Sequence, residues 1–183
     1  NPEIKIINLW DKCIDLGGCF NRLYMFSPEM QNYFGDRFIT IDLDCVIVNN
    51  IDSILSRPED FVINSFLGEG FNQQYNGSLI LQNSGCRSEV WNKFDYETSP
   101  HILSKLKAEN QLIGSDQAWI QYVLGESESK FTTDDGVYDF TYLHKKQDLP
   151  KDSKIIFFTG RYDPSSSKND VDWVNEHWKI KKN

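Results

Sequence analysis

The segment that most constrains this chain reads Arg37-Phe38-Ile39-Thr40-Ile41-Asp42-Leu43-Asp44-Cys45-Val46-Ile47-Val48. An apolar, β-branched run stops at two carboxylates one residue apart, and apolar character then resumes. Runs of this kind form short strands covered on both faces. On a regular strand residues i and i+2 project to the same face, so Asp42 and Asp44 are expected to point together, within reach of one cation. Burying two like charges in so apolar a stretch is costly unless a cation neutralises them. Hard carboxylate ligands suit Mg²⁺ or Mn²⁺. The plainer alternative is a solvated strand end, where both carboxylates simply meet water.

The overall charge sharpens that choice. The 183 residues hold 19 Lys+Arg and 27 Asp+Glu, a formal net charge of −8. Such a chain is a poor non-specific partner for DNA or RNA, whose affinity comes mainly from Lys and Arg on phosphates. It also repels phosphorylated small molecules unless a local cation reverses the field. Hydrophobic residues at 39 % and aromatics at 14 % supply a core, which excludes a wholly disordered chain. The length suits one domain, residues 1–183. No run approaches the roughly 18 apolar residues that span a bilayer. The opening Asn1-Pro2-Glu3-Ile4 has neither the basic nor the apolar region of a signal peptide, and a cytoplasmic location is expected. Because the chain starts on Asn1 rather than Met, an N-terminally truncated domain is expected. Cys13, Cys19, Cys45 and Cys86 form no CxxC pair, so free thiols are expected.

Strands are expected at residues 4–9, 37–41, 46–48, 61–66, 78–82, 137–142 and 154–159, each a β-branched or aromatic run. Ser99-Pro100 predicts a capped helix over 101–109, and Ser115 a capped helix to Leu124, stopped by Gly125. Val171, Val174 and Trp178 recur at i, i+3 and i+7, predicting an amphipathic helix over 170–180. Residues 18–26 read as helix-like, and 163–170 as a loop. Strands interleaved with helices give an α/β fold around a mostly parallel sheet.

Two enzyme classes place DxD after an apolar strand: GT-A glycosyltransferases, and phosphatases of the haloacid-dehalogenase type that use the first aspartate as nucleophile. Asp42-Leu43-Asp44-Cys45-Val46 fits both. The following blocks favour the first. Asn49-Asn50-Ile51-Asp52-Ser53-Ile54-Leu55, Tyr75-Asn76-Gly77-Ser78, Val90-Trp91-Asn92-Lys93-Phe94, Gly114-Ser115-Asp116-Gln117 and Phe157-Phe158-Thr159-Gly160, with Trp173-Val174 to His177-Trp178, occur in order across about residues 17 to 180. Together they resemble the glycogenin-like and related bacterial and phage nucleotide-sugar glycosyltransferases.

That resemblance implies a GT-A α/β/α sandwich lacking its first strand–helix–strand unit. It implies a Mn²⁺ or Mg²⁺ ion on Asp42 and Asp44, with Asp42 also facing the ribose. It further implies a UDP- or GDP-sugar donor and a glycan, lipid or protein acceptor. Asn76 would contact the transferred sugar or the acceptor, although Asn76-Gly77 equally suits a turn. Asp116 and Gln117 would hydrogen-bond sugar hydroxyls at the catalytic centre, although Asp116 also complements a helix dipole. Asp116, Asp134 and Asp135 are the candidate bases. Trp119, Trp173 and Trp178 read as core.

Three departures stand out. The family's metal-binding histidine is Thr159 here, and its phosphate-contacting lysine falls at Asp163. Arg161 is the cation placed to take over the phosphate, and His144 the one histidine that could approach the site. Only 41 residues precede Asp42, too few for the family's opening unit. These departures keep open a non-catalytic relative that binds sugar or protein without turnover.

Overall fold

The computed structural model describes residues 18–66, 68, 70–143, 148–160, 162–165 and 171–178. The expected strand at 4–9, together with His144 and Arg161, lies outside the described residues. The chain divides into two compact units that alternate along the sequence: Asn1–Phe38, Gly68–Tyr75 and Gln82–Glu128 form the first, and Ile39–Leu67, Asn76–Leu81 and Ser129–Asn183 the second.

The first unit is mainly helical. A 3-10 helix over Gly18–Phe26 is followed by α1 (Gln31–Phe34), α3 (Glu89–Asn92), α4 (Ser99–Ala108) and α5 (Asp116–Leu124), while α2 (Asp52–Leu55) belongs to the second unit. Tyr24 and Met30 are buried against Phe34, Phe38, Trp91 and Phe94, an aromatic cluster that holds this unit together. Trp119 is buried, donates Nε1–H to the Val90 carbonyl at 2.9 Å and meets Phe94 edge-on, as its core reading requires. Helix α4 starts two residues ahead of expectation. Ser99 lies inside it and accepts the Asp95 N–H, while the Asp95 carboxylate accepts from the Thr98 N–H and hydroxyl. Ser115 occupies the N-cap of α5 in extended conformation, yet its hydroxyl makes no capping hydrogen bond.

The second unit carries most of the strands β1 (Arg37–Ile41) and β4 (Tyr75–Asn83) and all of β2 (Cys45–Ile47), β3 (Phe61–Ser65), β5 (Ser129–Phe131), β6 (Val137–Asp139) and β7 (Ile155–Phe157), with α6 (Phe140–Leu143) and α7 (Asp172–His177). They form two sheets, ordered β1-β4-β3-β5 and β2-β7-β6. Pairs β3–β5 and β6–β7 are parallel and β2–β7 is antiparallel. The single mostly parallel sheet is therefore corrected to two sheets, the smaller one mixed. Residues 137–142 do not run on as one strand: the chain turns helical at Phe140, whose ring stacks on Phe158 at 4.4 Å and packs near Trp173. β3 is buried at Phe61, Val62, Ile63 and Asn64 in succession, explaining its lack of alternation.

One glycine fixes the β6 approach. Gly136 has φ +81°, and a Cβ there would stand 2.3 Å from the Asp152 carbonyl oxygen. No helix among the described residues is long and apolar enough to cross a membrane.

Candidate active site

The strand bearing the acidic pair stops sooner than its sequence suggests. β1 ends at Ile41, and Asp42-Leu43-Asp44 forms a bend leading into β2. The two aspartates are therefore not i and i+2 of a regular strand. Asp42 is half-buried, Asp44 exposed, and Leu43 between them is 98 % exposed. The bend is pinned at both ends. The Asp42 N–H donates to the Ser78 carbonyl at 2.8 Å, and the Asp44 carbonyl accepts the Phe158 N–H at 2.8 Å. Local backbone bonds thus bring the DxD, Asn76-Gly77-Ser78 and Phe158-Thr159-Gly160 blocks together.

Asn76 and Gly77 lie within β4, so the turn reading is corrected. The Asn76 side-chain oxygen accepts the Ser78 N–H at 2.9 Å, and its amide nitrogen carries no hydrogen bond among the described residues. Beneath it, buried Asn64 donates to the Ser78 hydroxyl at 2.9 Å. Both carboxylates act on their neighbour Cys45, whose thiol is pushed up to about 11, first by burial and then by the charges of Asp44 and Asp42.

Thr159 Oγ1 donates to Asp139 Oδ2 at 2.7 Å, and Asp139 Oδ1 accepts from the Thr141 N–H at 2.7 Å. Asp139, at the end of β6, was missed because nothing in its spacing links it to residue 159. Among the described residues no group of three or more His, Cys, Asp or Glu side chains is gathered as a metal cage. By donor chemistry alone, two hard carboxylates suit a cation of the Mg²⁺ type, which takes one or two protein carboxylates and completes its shell with water and substrate oxygens. Asp163 is exposed, and its carboxyl is held below the usual range by hydrogen bonds from the Ser165 hydroxyl and N–H.

Asp116 and Gln117 open α5 in the first unit. Asp116 is buried, its Oδ2 3.4 Å from Arg22 Nε, with its N–H directed at the Cys19 sulfur at 3.4 Å. That Oδ2 has an ionic partner but no hydrogen bond of good geometry, so it retains acceptor capacity. Burial, and then the Asp116 charge, push the Cys19 thiol upward. The Gln117 carbonyl accepts from Gln73 Nε2 at 3.3 Å. Arg22 was not singled out from the sequence, its only cue being a cation on the turn that precedes α1. Asp135 is not a free base: it binds Arg57 Nη1 at 2.6 Å and accepts the Thr132 N–H at 3.0 Å. Asp134 stays exposed on the same 3-10 turn.

This architecture is that of the glycosyltransferase fold. It superposes on an active-site mutant of LgtC with TM-score 0.56 at 10 % identity, covering 86 % of this chain and 64 % of that one. Galactosyltransferase LgtC in complex with donor and acceptor sugar analogues gives 0.56 at 10 % identity, over 88 % of this chain and 67 % of that one. Glycosyltransferase GlyE of Streptococcus pneumoniae TIGR4 gives 0.53 at 13 % identity, over 90 % and 49 %. The chain thus spans between about half and two thirds of the length of these proteins. No protein-family model and no curated protein sequence matches it.

Proposed function

We propose that this chain is a glycosyltransferase of the GT-A type that takes a nucleotide-diphosphate sugar, with Asp42 and Asp44 holding Mn²⁺ or Mg²⁺ for the donor's diphosphate. The observation that carries the reading is the pinned Asp42–Asp44 bend. Its backbone is fixed by Ser78 and Phe158 while the Asp44 carboxylate stays open to water. A divalent ion there supplies Lewis-acid stabilisation of the charge that develops on the leaving nucleoside diphosphate. The chain's own residues do the rest. The bend carries both carboxylates on a backbone fixed at each end, which would lower the reorganisation needed when the diphosphate arrives. Asn76 offers its amide N–H groups to a sugar hydroxyl. Arg161 is assigned to the diphosphate oxygens, offsetting the repulsion from Asp163. Asp116, oriented by Arg22, and Gln117 are assigned to sugar hydroxyls. The acceptor is a glycan, lipid or protein.

A second reading, a non-catalytic sugar or protein binder, is favoured by one observation: the Thr159 hydroxyl, in the place of the family's histidine, is committed to Asp139. Incubation with UDP- and GDP-sugars and Mn²⁺, with free sugar followed by chromatography, separates the two. Slow metal-dependent donor hydrolysis, lost in Asp44→Ala, supports transfer. Donor binding without any release of sugar supports the binder.

A further inference from the structure

Near the C-terminal end of α5, the first unit contains a cavity of about 250 Å³. Leu106 and Leu112 give it apolar surface, and Asn72, Gln121, Tyr122 and Glu126 give it an aromatic ring and polar groups. Its volume falls just under the roughly 300–1,000 Å³ of drug-sized pockets, so it suits one small ring.

Three features prepare it. Tyr122 is 49 % exposed, yet its ring is held by stacking on Trp119, with centroids 5.3 Å apart and planes at 30°. Trp119 is itself anchored on the Val90 carbonyl. Gln121 is buried and commits both ends of its amide: Nε2 donates to the Asn72 carbonyl at 2.8 Å, and Oε1 accepts the Gln74 N–H at 2.6 Å. The segment on that wall is therefore fixed before any ligand arrives. The exposed Asn72 amide and Glu126 carboxylate have no hydrogen-bond partner among the described residues and remain available for hydroxyl groups.

The geometry points to a binding site for a neutral saccharide, separate from the donor chemistry assigned to Asp42 and Asp44. A rigid, half-exposed tyrosine offers an apolar face for the C–H face of a sugar ring, with a polar tip beside it. The amide and carboxylate supply donors and an acceptor for hydroxyls. Glu126 is the one charged group among the described lining residues, and its carboxylate disfavours phosphates and carboxylates, which favours a neutral ligand.

The test uses the whole chain, ¹⁵N-labelled, titrated with glucose, galactose, N-acetylglucosamine and lactose up to about 100 mM, with amide shifts read by NMR. At least one sugar is expected to give saturable shifts at Asn72, Tyr122 and Glu126, with a dissociation constant of about 1–30 mM. Tyr122→Ala and Asn72→Ala should each weaken it by about fivefold or more, with circular dichroism confirming the fold, and Asp44→Ala should leave it unchanged. Glu126→Gln, which preserves shape, should weaken it by about threefold. No saturable shift at these amides with any of the four sugars would overturn the inference. So would wild-type affinity in both Tyr122→Ala and Asn72→Ala, or loss of the shifts in Asp44→Ala. Loss of donor binding alone would leave this site standing.

Discussion

Thr159 donates its hydroxyl to Asp139 across the β6–β7 edge at 2.7 Å, two residues beyond the last strand residue of β7. The resemblance to glycogenin-like enzymes would put a metal-binding histidine at this position. The contact gives that position a structural task, bracing the end of β6, in place of a ligand's task. The first prediction follows directly. Thr159→His should raise Mn²⁺ affinity, measured by isothermal titration, by on the order of tenfold through an added imidazole. It should also destabilise the second unit by about 1 kcal/mol through loss of the hydrogen bond.

Cys45 gives a pH prediction. Its thiol is pushed up to about 11 from the ordinary 9.0, by burial and then by Asp44 and Asp42. At pH 8 the thiolate fraction should be about 100-fold below that of a free cysteine, so alkylation by iodoacetamide should be correspondingly slow at this site. The folded state keeps its proton where the unfolded chain has lost it. The stabilising contribution is therefore complete below about pH 9 and is lost as pH rises towards 11. Urea midpoints for wild type and Cys45→Ala should converge across that window; a constant difference would contradict the assignment.

Asp135 is read as structural. It links Arg57 at 2.6 Å to the capping box of the Thr133–Asp135 turn. Asp135→Ala should cost about 1–3 kcal/mol in urea unfolding, because Arg57 keeps Glu59 but loses its second partner and the turn loses its cap. Donor hydrolysis per folded molecule should be unchanged.

Gly136→Ala should be worse. A positive φ of 81° costs about 1–3 kcal/mol for a residue with a side chain. The added Cβ would also collide with the Asp152 carbonyl. With strain and collision together, a fall in Tm of about 5 °C or more is expected, at roughly 2–4 °C per kcal/mol for a chain of this length.

Much of the fold was legible because its strands are apolar throughout. β1 and the buried β3 were placed within one residue of their ends, and the core tryptophans Trp119 and Trp173 are buried as read. β5 was missed: Ser129-Lys130-Phe131 has only three residues and one apolar side chain, and its pairing with β3 makes it a strand. Residues 137–142 carry β-branched and aromatic side chains suited to a strand, but packing of Phe140 on Phe158 and Trp173 wins locally and turns the chain into α6. Around Asp42 and Asp44 the strand that precedes the pair was legible, but the bend was not. Its shape depends on Ser78 and Phe158, 36 and 114 residues away in sequence, and no local pattern encodes such bonds. For the same reason Asp139 and Arg22 were invisible until the fold placed them beside Thr159 and Asp116.

The measurement that tests the central claim most directly is calorimetric titration of UDP- and GDP-sugars into the protein, with and without Mn²⁺. The account predicts saturable binding of at least one donor that requires the ion. Asp44→Ala should weaken that binding by about tenfold or more, the loss expected when one of two carboxylate ligands is removed. Donor binding of equal strength in metal-free buffer and in Asp44→Ala would contradict it, and so would no binding of any donor in the presence of the ion.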